Sequence, residues 1–186
     1  MITRIEKDFF FLAGVHFDGA YFINSYDIML SLLIESDLPQ EHNIALGRLE
    51  CFIKDILANS VFVDMDDSDA IEQYENAGIK VCELPQQPYD QVVAIALLLK
   101  LNAIMEGRMK ITDLTIGSMF SEGVRYPIVS EIAESADMTM GNHWWNNPDK
   151  SIRDQDIEYS SDNVVKLFCD DHWMDMGLSW KDRYKN

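Results

Sequence analysis

The sequence predicts a mixed fold, α/β or α+β, in a single domain, and three observations carry that expectation. An Asp-Gly dipeptide between two aromatic-rich runs near the amino terminus marks a β-hairpin, because that pair tolerates the positive φ angles of a tight turn. In the centre, short apolar runs alternate with longer helix-like segments, the pattern of βαβ units with right-handed crossovers. A chain of 186 residues, 47% hydrophobic and 11% aromatic, also has the material for one sizeable core.

Residues 8–24 read as the hairpin, with His16-Phe17-Asp18-Gly19 at its tip. Ser25 is then expected to cap a short helix whose apolar face is Ile28, Met29, Leu32 and Leu33. Pro39 suits the first turn of a second helix, running to about Ala58 with Ala45, Leu49, Phe52, Ile53 and Ile56 at helical spacing. This first part, residues 1–58, leads into a βαβαβ core over residues 60–117. Its expected strands are Ser60 to Asp64, Ile79 to Leu84 and Lys110 to Gly117, and its helices are Asp69 to Ala77 and Asp90 to Glu106. The second helix is apolar nearly all round, which predicts a central, buried position.

Residues 118–186 carry weaker signals. Ser118 to Pro127 reads as loop with a short extended piece, and residues 131–163, with eight acids and two bases, as ordered loops or a flap. Val164 to Cys169 suits a strand or helix, and the tail from Trp173 to Asn186 has Trp173, Leu178 and Trp180 as docking residues. The apolar runs Phe9 to Val15 and Val92 to Leu99 are too short for a signal peptide or a membrane span. Cys51, Cys82 and Cys169 are odd in number and widely spaced, which predicts reduced thiols in a cytoplasmic protein.

Charge is the most unusual property. Against 32 acidic side chains stand 15 basic ones, a net charge of −17. Net charge speaks to partners and association rates and not to fold. It argues against direct binding to nucleic acid or anionic membrane, since each phosphate contact needs a cation. The imbalance is also local: residues 55–90 hold nine acids and one base, Lys80.

Within that stretch, Asp64, Asp66, Asp67 and Asp69 follow directly on an expected strand. Carboxylates just past the carboxyl end of a strand lie where ligands bind in open α/β sheets. Asp64 and Asp66, joined by Glu83 or Asp113, could hold Mg²⁺ through oxygen ligands, the layout of metal-dependent nucleases and phosphohydrolases. The same stretch nearly matches a Ca²⁺ loop, with Asp64, Asp66, Ser68, Glu72 and Glu75 at the first, third, fifth, ninth and twelfth positions. Asp69 stands where that loop needs glycine. The structural explanation is simpler: Asp67, Ser68 and Asp69 start a helix, and Asp69 with Glu72 has capping-box spacing.

Other chemistry is sparse. His143 and His172 sit beside tryptophans and polar residues without any metal-binding spacing, and no nucleophile elbow or phosphate-binding glycine loop occurs. Trp144, Trp145, Trp173 and Trp180 lie among acids in the last 43 residues, which suits either an interface that steers a basic partner or, for each tryptophan taken singly, a residue that pins an irregular carboxyl-terminal region to the core.

The expectation is therefore an acidic, non-enzymatic interaction or regulatory protein without a cofactor. Its partner would be a basic protein surface, and one form of the idea is an inhibitor that mimics nucleic acid. Asp64, Asp66, Asp67, Asp69, Glu72, Glu75, Trp144 and Trp145 would be the contact residues. The alternative is a Mg²⁺- or Ca²⁺-dependent protein, foremost a phosphohydrolase or nuclease built on Asp64 and Asp66, with Arg108, Lys110 and Arg125 gathered to receive a polyanion.

Overall fold

The computed structural model describes residues 3–34, 38–135 and 142–157. The fold is mixed α/β, with a six-stranded sheet and four α-helices. Its first two strands, β1 (Thr3–Phe17) and β2 (Ala20–Ile34), form one long antiparallel hairpin. Asp18 and Gly19 both take positive φ, +50° and +74°, as the expected two-residue turn requires.

The hairpin corrects one expectation. Residues 25–33 are strand and not the helix that Ser25 was to cap. Ile28 and Leu32 fit a helical stripe, but Tyr26, Ile28, Leu30 and Leu32 also alternate, and all four are buried on one face of β2. With strands pairing on both sides of it, β2 gains a full ladder of hydrogen bonds that an isolated short helix lacks.

Helix α1 (Pro39–Cys51) begins at Pro39 and passes into a π-helical segment, Phe52–Leu57, so the expected helical run is present with its last turns widened. There follow β3 (Val61–Asp64), α2 (Ser68–Asn76), β4 (Val81–Leu84), α3 (Asp90–Met105), β5 (Lys110–Ser118), β6 (Arg125–Val129) and α4 (Ser130–Ser135). The sheet order is β4-β3-β1-β2-β5-β6. Strands β1, β3, β4 and β5 run the same way, because β5 pairs antiparallel to β2 as β1 does, and only β2 and β6 oppose them. The βαβαβ connectivity is thus present, but the hairpin is wedged into it and α3 crosses over to place β5 beyond β2.

As expected, α3 is the buried helix. Val93, Leu97, Leu98, Leu101 and Ile104 are inaccessible between the sheet and its neighbours, and each such side chain stabilises the fold by about 1.5–3 kcal/mol. Helices α1 and α3 pack on one face of the sheet. On the other face α2 covers β3 and β4, through Ala70 and Tyr74 on Val61, Val63 and Val81, and meets the hairpin at its tip, where Tyr74 touches His16 and Tyr21. The hairpin's share of that second face otherwise stays open, leaving Phe10, Leu12, Tyr21 and Ile23 exposed.

Residues 142–157 are anchored to the core, in part through Lys100. This α3 lysine is fully buried, and its ammonium donates to the carbonyls of Trp144 (2.8 Å) and Asn147 (3.0 Å), to Asp149 Oδ1 (3.2 Å) and to Ser151 Oγ (3.3 Å). Burial pushes its pKa down to about 8, opposed by Asp149. Trp144 Nε1 donates to the Glu83 carbonyl at 2.7 Å, and the Trp144 N–H donates to Asp154 Oδ1 at 2.8 Å. Trp144 and Trp145 are both buried, which corrects their expected part in an exposed interface and matches the alternative, that they pin this region to the core. Their adjacency to acids reflects internal pairing. Cys169, His172, Trp173, Leu178 and Trp180, and the expected element Val164 to Cys169, lie outside the described residues.

Candidate functional site

The acidic stretch lies at the carboxyl ends of the parallel strands. Asp64 ends β3 and accepts the Asp66 backbone N–H on Oδ1 at 3.1 Å. Its Oδ2 accepts the Gln87 side-chain amide at 3.2 Å, and Gln87 Oε1 in turn accepts the Asp18 backbone N–H at 3.4 Å. One glutamine after β4 thereby ties the hairpin tip to the end of β3.

Asp67 is the N-cap of α2, its Oδ1 accepting the Ala70 N–H at 3.1 Å. The cap is therefore Asp67, not the expected pairing of Asp69 with Glu72. The other Asp67 oxygen faces His16 Nε2 at 3.4 Å, while His16 Nδ1 lies 2.8 Å from the Tyr74 hydroxyl. In the tautomer that donates from Nε2 to the carboxylate, Nδ1 accepts the Tyr74 proton, so β1 is locked to both ends of the α2 interface. Burial, with Tyr21 and Asp67 adding to it, raises the Tyr74 pKa. Tyr21 reaches Tyr74 across Gly14: a Cβ at Gly14 would fall 2.7 Å from the Tyr21 ring and 2.8 Å from Val61.

The remaining contact residues named from sequence fall into two groups. Asp66, Asp69 and Glu72 are exposed, and among the described residues no cation reaches them. Glu75 instead pairs with Arg153, which also donates to Glu83 at 3.2 Å. The metal reading fares poorly on geometry. Among the described residues no group of three or more His, Cys, Asp or Glu side chains could hold an ion. Asp64 is engaged by its own loop, Glu83 faces Arg153, and Asp113 faces Arg4 at 3.0 Å. Ser68, Glu72 and Glu75 belong to α2, so they cannot wrap an ion as a calcium loop does. Arg108 and Lys110 lie at the opposite end of β5 from Arg125, at the amino end of that strand, so the three cations do not gather at the carboxylates.

A second feature at this end escaped the sequence. Phe17, Phe22, Tyr89, Phe120 and Tyr126 surround a cavity of about 240 Å³, with Asp90 among its lining residues. Asp90 is half-buried at the first turn of α3 and accepts the Ser118 hydroxyl at 2.8 Å. Burial raises its pKa, and the Ser118 bond opposes that rise. His16, Tyr74 and Gln87 were likewise missed. The available signal was positional: His16 and Phe17 end β1, and Gln87 and Tyr89 follow β4, as ligand-facing residues do in such sheets.

No protein-family model matches the chain, and no curated protein matches it. Among solved structures, the crystal structure of the uncharacterized protein WS1659 from Wolinella succinogenes is similar, with a TM-score of 0.50 and 15% identity. The match covers 70% of this chain and 99% of that one. At that identity the likeness concerns the fold alone. No helix among the described residues is long and apolar enough to cross a membrane.

Proposed function

We propose that this protein is an acidic interaction protein that binds a basic surface of another protein through the carboxyl end of its sheet. The observation that supports the reading is the uncompensated charge there: Asp66, Asp69 and Glu72 are exposed and, among the described residues, have no cationic partner. Carboxylates held on a strand end and a helix start present a fixed pattern, and such a pattern steers a cationic partner and sets its register. Exposed Tyr21, Tyr89 and Phe120 lie at the same end and provide aromatic contact area. Mimicry of nucleic acid is a narrower form of this proposal, in which the partner's basic groove is one that otherwise holds phosphates.

Affinity capture with the wild type and with Asp66→Asn/Asp69→Asn/Glu72→Gln tests the reading. A basic protein is expected on the wild type at low salt, released by about 0.5 M salt because screening then acts over a few ångströms, and missing from the triple variant. A partner retained equally by the variant, or held regardless of salt, overturns the proposal.

A further inference from the structure

We infer that the aromatic cavity beside the acidic loop accepts one cationic side chain, a lysine or an arginine, from the basic partner. The inference rests on the function proposed above and deepens it from a charged surface to a defined site. Five rings from β1, β2, the α3 entrance, the turn after β5 and β6 converge on one space, and the carboxylate in its lining belongs to Asp90. Phe17 and Tyr89 meet edge to face, centroids 5.0 Å apart at 80°, and Phe22 and Phe120 meet at 4.3 Å and 58°. Neither pair is stacked flat, so ring faces are left unstacked for a guest. Aromatic faces carry negative potential and attract ammonium and guanidinium groups.

Charge and size select the guest. Asp90 has one hydrogen-bond donor, Ser118, and among the described residues no cation reaches it. The amino end of α3 contributes about half a positive charge, less than the full negative charge of the carboxylate, so the site favours a cation over an anion. Cavities for drug-sized ligands run from about 300 to 1,000 Å³, so one of about 240 Å³ suits the end of a side chain. The cavity also lies at the same end of the sheet as Asp64 and Asp66, where a basic partner would approach.

The test is an NMR titration of the full chain with N-acetyl-lysine amide, N-acetyl-arginine amide and the uncharged N-acetyl-norleucine amide, with choline as a fourth probe. The expected result is that the two cationic amides bind at least ten-fold more tightly than norleucine amide, and at least ten-fold more weakly to Asp90→Asn. Asparagine keeps an acceptor for Ser118, and Tyr89→Leu, at an exposed ring, is a second variant that should also weaken binding. Equal binding of norleucine amide, or no effect of Asp90→Asn, overturns the inference. Choline binding more tightly than either amide overturns it too, by assigning the cavity to a free quaternary amine. Partner capture that depends on Asp66, Asp69 and Glu72 while the amides fail to bind sinks the pocket alone. Amide binding with capture indifferent to those residues sinks the surface reading alone.

Discussion

The two ends of the sheet treat charge in opposite ways. At the amino ends of the parallel strands, acids and bases meet in pairs: Arg108 lies between Glu41 and Glu106, Arg48 reaches Glu106 and the Ile104 carbonyl, and Arg4 holds Asp113. At the carboxyl ends, Asp18, Asp66, Asp69 and Glu72 stand exposed, with no cation near them among the described residues. The contrast is one of pairing, and burial explains it. Where charge is buried, as at Arg48, folding demands a partner, because an unpaired buried ion costs several kcal/mol. Where it is exposed, folding makes no such demand, and like charges placed together slightly oppose the compact state.

That comparison can be broken most readily at Arg48. Its side chain is buried with two acceptors, so Arg48→Met should cost about 3 kcal/mol in denaturant unfolding. A loss below about 1 kcal/mol would mean that the paired end does not depend on its pairs.

Glu106→Gln sharpens the same point through pH. Burial raises the Glu106 pKa, but hydrogen bonds from Arg108 and Arg48 outweigh it, and the net value lies below the ordinary 4.5. A carboxylate depressed in the fold contributes stability above the unfolded value and loses it as pH falls through the folded one. Glu106→Gln should therefore be less stable than wild type at pH 7, and the two unfolding curves should converge as pH falls below 4.5. A gap that persists in acid would assign the loss to shape and not to charge.

The smallest effect is expected at the acidic end. Asp66→Asn/Asp69→Asn/Glu72→Gln should change stability by no more than about 0.5 kcal/mol, as surface substitutions away from caps and cores do. Relief of repulsion offsets the lost attraction of Asp69 for the start of α2. A loss above about 2 kcal/mol would make these carboxylates structural and erase the difference between the two ends.

Much of the scaffold was legible in the residues. The Asp18-Gly19 turn, the strands at 61–64 and 81–84, and the buried helix at 90–105 follow from turn chemistry and periodicity. The acidic stretch was legible as charge, and its position past β3 was correctly placed. Its internal bonding was not, because Gln87 and His16 arrive from other elements. The aromatic cavity was invisible for the same reason, since Phe22 and Tyr126 are separated from Tyr89 by whole strands.

By itself, the sequence determined the charge, the turn and the helix that is apolar on every side, since φ preference, periodicity and net charge act within a few neighbouring residues. The tertiary structure alone decided that residues 25–33 are strand, because β1 and β5 supply partners on both sides. It also decided that Trp144 and Trp145 are core and not interface, because both rings join the apolar cluster and Lys100 satisfies the Trp144 carbonyl there. Finally, it decided which acids are neutralised, because each ion pair depends on where the fold brings a distant cation.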